Sequence, residues 1–289
     1  MTAQPLIDAH VHVWDPGRLR YPWLDGLPEL RRPQLPVRGG SLPMAVFVQA
    51  DCLDEQAFDE VRWVESLQWP ELAAIVAYAP VHQGERAGEH LARLRAEHPS
   101  VRGVRRLFQD EGAGFIVSAP VVAGLRETAR AGLVFDATVR AVQLMDLARV
   151  HDAVPELTLV VSHLGNPPLE AGLRSSEGTR WRRGLRAVAA HPGAAVKLSG
   201  AAAAGRGTPF VLAALEIFAP DRVMAGSDSP LSVPPDADEY RRWAAGAGAG
   251  LGLADDELDS VRHGCAAAVY RIPAAGTSGN RPTIEETIS

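Results

Sequence analysis

Short apolar runs recur along the chain, and stretches of helical period separate them. The runs at 6–13, 44–50, 72–81, 101–108, 133–139, 157–164, 195–198 and 222–225 are rich in Val, Ala, Leu and Ile and read as buried strands. Between and after them, apolar residues return every third or fourth position at 54–68, 85–98, 115–131, 142–153, 179–190, 209–218, 237–245 and 255–269, which predicts helices. Asp54 is placed to cap the first of these. Strand–helix alternation returns the chain to the same end each time, so the strands are expected to be parallel. Eight such units predict a closed (β/α)8 barrel over an open doubly wound sheet. No Gly-x-Gly-x-x-Gly follows the first strand, which argues against a dinucleotide fold. The segment 16–43 has no period and many Pro and Gly, so it reads as a long loop. Tyr21 and Trp23 within it suggest an ordered lid over the end of the first strand. One domain is expected over 1–273, followed by a polar tail, 274–289, that is extended or disordered.

Composition narrows the functional classes. With 289 residues, 46% hydrophobic, 22% charged and a formal charge of −6, the chain reads as a soluble globular protein without a basic surface for nucleic acid. No apolar run approaches a membrane span of about 18 residues. The start of the chain lacks the charged and apolar regions of a signal peptide, and Cys52 and Cys265 lie far apart. A cytoplasmic protein with free thiols is the expectation.

The chemistry collects at the predicted strand ends, where barrels of this kind build their active sites. Along Asp8-Ala9-His10-Val11-His12, strict alternation would turn Asp8, His10 and His12 to one face. Later strand ends carry Gln49 and Asp51, His82, Arg105 and Arg106, Asp136, His163, Lys197 and Asp228. Charged groups are seldom buried without partners, so a ring of them at one rim points to a site. His10, His12 and Asp228 are candidate ligands of a divalent cation, with His163 as a further ligand or a hydrogen-bond donor. Asp228 is the candidate acceptor of a proton from water, and Arg105 the candidate partner of a carboxylate or oxyanion. Tyr21, Trp23, Gln49, His82, Asp136 and Lys197 are candidate substrate contacts, although Asp136 and Lys197 read equally well as an internal ion pair.

Asp8-x-His10-x-His12, the sixth-strand His163 and the eighth-strand Asp228 together resemble the amidohydrolase superfamily. Gly103-Val104-Arg105, Gln109-Asp110-Glu111, Phe135-Asp136, His163 through Pro168, Lys197 through Gly200 and Pro220 through Asp228 resemble its sugar-lactonase branch, related to 2-pyrone-4,6-dicarboxylate lactonase. Tyr21-Pro22-Trp23-Leu24 is similar to the loop after that branch's first strand, and the resemblance spans about 6–272. It implies a hydrolase that opens a sugar-derived or acidic lactone, with one divalent ion, zinc or manganese, or none. Arg105 stands where other branches have a residue bridging two metals, which argues against a binuclear centre. The departures are Ser162 before the sixth-strand histidine, where Asp is usual, Ser229 after Asp228, where Trp is common, and His263-Gly264-Cys265 in the last helix. The first two are expected to touch the pocket. Two alternatives stay open: a metal-dependent decarboxylase of an aromatic acid on the same fold, and a retuned or non-catalytic relative. The expected partner is a small molecule, and homo-oligomer formation is left open.

Overall fold

The structure is a computed structural model that describes residues 6–38, 42–200 and 207–273. The expected tail, 274–289, lies outside the described residues. Eight parallel strands stand side by side in chain order: β1 Ile7–Val11, β2 Met44–Val48, β3 Leu72–Tyr78, β4 Val101–Leu107, β5 Val134–Thr138, β6 Leu159–Val161, β7 Ala194–Leu198 and β8 Val223–Ala225. Helices α1 Ala57–Ser66, α2 Ala87–Glu97, α3 Ala119–Arg130, α4 Leu144–Ala153, α5 Ser176–Ala189 and α6 Thr208–Phe218 follow β2 to β7 in turn. After β8 come α7 Ala237–Gly246, α8 Asp255–Asp259 and α9 Cys265–Tyr270. The ring closes where the chain beyond β8 meets β1. There Val11 pairs with Ser229, the Asp228 amide donates to the His10 carbonyl at 2.9 Å, and the His12 amide donates to the Ser229 carbonyl at 2.8 Å. This is the expected (β/α)8 barrel. Among the described residues no helix is long and apolar enough to cross a membrane.

Two apolar layers follow from the two faces of each strand. Phe47, Ile75, Val104, Phe135, Val161 and Val196 point outward and pack with Leu91, Leu125, Leu147, Trp181 and Leu185 of the surrounding helices. Val46, Val48, Ala74, Val76, Val134, Val160, Ala195 and Met224 fill the barrel interior. Tyr270 and Ile272 join the interior group, so the end of the described chain plugs the barrel opposite the strands' C-terminal ends. Helix starts are specified locally. Ser175 Oγ accepts from the Gly178 amide at 2.9 Å before α5, and Asp236 Oδ1 accepts from the Asp238 and Glu239 amides, each at 3.0 Å, before α7.

β1 departs from strict alternation. Its register against β2 shifts between Asp8 and Val11, the mark of a β-bulge. Before the shift, Ile7 and Ala9 face the interior group; after it, His10 and His12 face inward and Val13 joins the outer layer. Asp8 is thereby turned outward to α7, where its Oδ2 accepts from Tyr240 Oη at 2.7 Å. One extra residue reverses every face downstream of it.

Other expectations need correction. The sixth strand stops at Val161, and His163, Leu164 and Asn166 all take positive φ (53°, 55° and 49°). The imidazole of His163 is therefore carried by a left-handed turn and not by the strand. Asp54 starts a short 3-10 turn without capping it, and its carboxylate accepts from Tyr78 Oη instead. The helix expected over 255–269 is interrupted by a π turn at Ser260–Gly264. The segment after β1 is ordered, with 3-10 turns at Pro22–Gly26 and Pro28–Leu30. Trp14 Nε1 donates to the Leu30 carbonyl at 3.0 Å and Trp23 Nε1 to the Ala50 carbonyl at 2.8 Å, which tie this loop to the strand ends.

Candidate active site

Three imidazoles converge on one carboxylate oxygen. The Nε2 atoms of His10, His12 and His163 lie 3.8, 3.7 and 4.0 Å from Asp228 Oδ1. His10 Nε2 and His12 Nε2 are 3.1 Å apart. Asp228 Oδ2 accepts from Ser232 Oγ at 2.7 Å, but Oδ1 is buried without a hydrogen-bond partner. An unpaired buried acceptor costs about 1–3 kcal/mol, so something outside the described atoms is expected to meet it. Four donors around one tetrahedral cation with bonds of about 2.0–2.1 Å would sit roughly 3.3–3.4 Å apart. Four of the six pair separations, 3.1 to 4.0 Å, bracket that spacing. The ligand atoms of His10, His163 and Asp228 lie within 4.8 Å of one another, and His12 stands beside this group. His10, His163 and Asp228 therefore fit a divalent ion, with His12 next to them.

Local structure holds each imidazole. The β1 bulge turns His10 and His12 inward, and His12 Nδ1 donates to the Val48 carbonyl at 2.7 Å. That bond leaves the lone pair on Nε2, facing Asp228. The His163 ring is set by the left-handed turn after β6 and by Ser199 Oγ, 2.9 Å from its Nδ1. Gly200 has φ +69°, and a Cβ there would lie 2.9 Å from His163 Nδ1, so only glycine fits against the ring. At Gly226 a Cβ would lie 2.9 Å from His10 Cβ.

Burial first, and then the nearby Lys197 and Arg105 charges, hold His10 and His12 well below the ordinary imidazole pKa, and His163 is pushed down to about 3 for the same reasons. All three are neutral, as a ligand must be. Burial pushes the Asp228 carboxyl up to about 6, opposed by the Ser232 hydrogen bond and the Arg105 charge.

Beneath the histidines lies a buried ion pair. Lys197 Nζ is 2.5 Å from Asp136 Oδ2, and Tyr270 Oη donates to both Asp136 oxygens, at 2.8 and 3.0 Å. The same Nζ is 3.4 Å from His10 Nδ1. Asp136 and Lys197, read as possible substrate contacts, are thus packed below the cavity as partners of each other.

A cavity of about 310 Å³ opens above the histidines, lined by His12, His163, Arg105 and Asp228 at its base and by Trp14, Trp23 and Leu231 around it. Arg105 is 4% exposed; it donates to the Gln49 carbonyl through Nη2, while its Nε has no partner. Of the expected substrate contacts, Trp23 lines the cavity. Gln49 is buried, its carbonyl accepting from Arg105 and its Oε1 from the Asp51 amide at 2.5 Å, Tyr21 is buried in the outer core, and His82 accepts from Arg106 Nε at 3.1 Å. Asp8 is away from the cavity because of the bulge. Ser162 and Ser229 do not line it either. Ser162 is fully buried, and Ser229 belongs to the barrel seam, its amide donating to Ser227 Oγ at 2.9 Å. Asp51, Gln109, Asp110 and Thr138 also line the wall; the sequence marks Asp51 only as one of the strand-end polar groups and Gln109 and Asp110 only as part of a family-like stretch, and it does not single out Thr138. Thr138 could have been found from the period of two, since it follows Asp136 on the same strand.

The fold and this centre define a barrel enzyme with a histidine–aspartate cluster at its strand ends. The chain belongs to the amidohydrolase family, whose pattern it matches over residues 7–272, and it is a hydrolase. An L-fucono-1,5-lactonase from Burkholderia multivorans (strain ATCC 17616 / 249) is 30% identical over 304 residues, covering 92% of this chain and 96% of that one. The crystal structure of an amidohydrolase from Burkholderia multivorans with bound zinc superposes with a TM-score of 0.74 at 28% identity, covering 93% of this chain and all (100%) of the other. A dihydroxybenzoic acid decarboxylase from Polaromonas sp. JS666 with bound manganese superposes with a TM-score of 0.67, covering 93% of this chain and 97% of that one, but at 14% identity it shares the fold alone.

Proposed function

We propose that this hydrolase opens the ring of a sugar-derived lactone by attack of water, with Asp228 moving the proton. The observation that carries the reading is the unpartnered Asp228 Oδ1 among three neutral imidazoles at the base of a cavity that also exposes Arg105. The similarity to a lactonase along nearly the whole chain supports an ester substrate over the aromatic acid of a decarboxylase. His10, His12, His163 and Asp228 would hold one divalent ion, and the zinc in the similar amidohydrolase supports that assignment. Such an ion lowers the pKa of water towards about 7 and polarises a carbonyl.

The chain's own residues supply the rest. Asp228 accepts the proton of the attacking water and returns it to the leaving alkoxide. Arg105, short of one hydrogen-bond partner and fixed by Gln49, faces the oxyanion that develops at the carbonyl. The tryptophans and Leu231 keep bulk water from the reacting atoms. Metal analysis of the purified protein, followed by a panel of sugar lactones beside 2,6-dihydroxybenzoate, tests the reading. Ring opening with release of acid is the expected result; carbon dioxide release from the aromatic acid with inert lactones would replace it by the decarboxylase.

A further inference from the structure

The cavity wall carries a second polar constellation that water attack does not use. Asp51 follows β2 with φ 61°, a left-handed conformation in which its half-buried carboxylate lines the cavity. Arg105, across from it, is almost fully buried and keeps Nε without a partner. Burial works against the Arg105 charge, and Asp51 is the strongest anion supporting it. Yet the two do not hydrogen-bond: the guanidinium reaches the Gln49 carbonyl instead. Asp110 and Gln109 also line the cavity, and Trp23 and Leu231 give it an apolar part, with Trp14 buried behind Trp23.

A group that satisfies both sides of this wall must donate to a carboxylate and accept from a guanidinium. A hydroxyl does both. A carboxylate could only accept: it would suit Arg105 but meet the like charge of Asp51, whereas Asp110 is already paired with Arg140. The apolar part at Trp23 and Leu231 suits the C–H surface of a saturated ring.

We propose that Asp51 is a specificity-determining residue: its carboxylate accepts a hydrogen bond from a ring hydroxyl that itself accepts from the Arg105 guanidinium, so the site selects neutral, polyhydroxylated lactones over lactones bearing a carboxylate. This rests on the lactone reading and names its substrate class.

Binding of stable lactams separates the two ideas. Three δ-lactams are titrated into the full-length protein by calorimetry: one polyhydroxylated, one unsubstituted and one carboxylated. Wild type binds the hydroxylated lactam at least tenfold more tightly than either of the others. In Asp51→Asn, whose amide tolerates the left-handed backbone, the preference over the unsubstituted lactam falls at least tenfold and the carboxylated lactam gains. Asp51→Gly, free of backbone strain, repeats the pattern if the asparagine variant folds poorly. A wild type without the preference overturns the proposal, and so do folded variants that keep it or that weaken all three lactams alike. Lactone turnover is measured separately: lactam preference without any ring opening sinks the hydrolytic reading and leaves Asp51 in its role.

Discussion

Asp228 and His10 are joined twice. The Asp228 amide donates to the His10 carbonyl at 2.9 Å, and Asp228 Oδ1 lies 3.8 Å from His10 Nε2. The first contact belongs to the seam that closes the barrel, and the second to the candidate active centre. The two residues are far apart in sequence, and the seam puts their side chains on one floor. A change that opens the seam should therefore damage the centre without touching any of its side chains.

Asp228→Asn should remove turnover and leave the fold intact. The amide has nearly the carboxylate's shape and can still accept from Ser232 Oγ, but it takes no proton at neutral pH. A general base contributes about 10²–10⁴ in rate, so kcat should fall by at least a hundredfold at an unchanged melting temperature. Wild-type kcat in this variant would take Asp228 out of the proton path.

Arg105→Lys should lower kcat/KM by at least tenfold, about 1.4 kcal/mol, with little change in stability. Lysine keeps the charge but cannot give one donor to the Gln49 carbonyl and hold a second towards the cavity in a rigid plane. A large loss of melting temperature with normal kinetics would make Arg105 a structural residue.

Lys197→Met should destabilise the protein by about 3–5 kcal/mol, because Asp136 would remain buried with Tyr270 as its one partner. The double variant Lys197→Met/Asp136→Asn should recover part of the loss. Urea denaturation of the single and double variants measures both, and equal losses in the two would contradict a charge-pair origin.

Glu60 predicts how stability varies with pH. Its side chain is fully buried, with Oε1 accepting from the Ala50 amide at 3.0 Å and Oε2 unpartnered, and burial pushes its pKa up to about 7 from an ordinary 4.5. A raised folded-state pKa means that the folded protein holds this proton more tightly than the unfolded chain. The stability it contributes is complete below the unfolded pKa and is lost as pH rises through the folded one. This group alone should therefore remove roughly 3 kcal/mol of stability between about pH 4.5 and pH 7, against the gain over the same range from the buried histidines, whose pKa is lowered. Glu60→Gln carries no charge to bury, so its melting temperature relative to wild type should rise from pH 5 to pH 8. A constant difference across that range would show that Glu60 is not the source.

The sequence by itself determined the class of fold and the membership of most of the centre. Alternating apolar runs and helical periods specify parallel strands, because each crossover must return the chain to the same end. Polar residues interrupting buried runs marked His10, His12, Arg105, His163 and Asp228, because such groups are too costly to bury without a purpose. Only the tertiary structure decided the rest. The β1 bulge sent Asp8 outward to Tyr240, and it arises from pairing with β2, which no period in β1 reveals. The Lys197–Asp136–Tyr270 cluster joins two strands to the last helix across long separations. Asp51 entered the cavity wall through a left-handed backbone that few residues besides glycine, asparagine and aspartate adopt readily. Periodicity reports which face a residue prefers; which groups then meet is set by register, by closure of the ring and by how the chain leaves each strand.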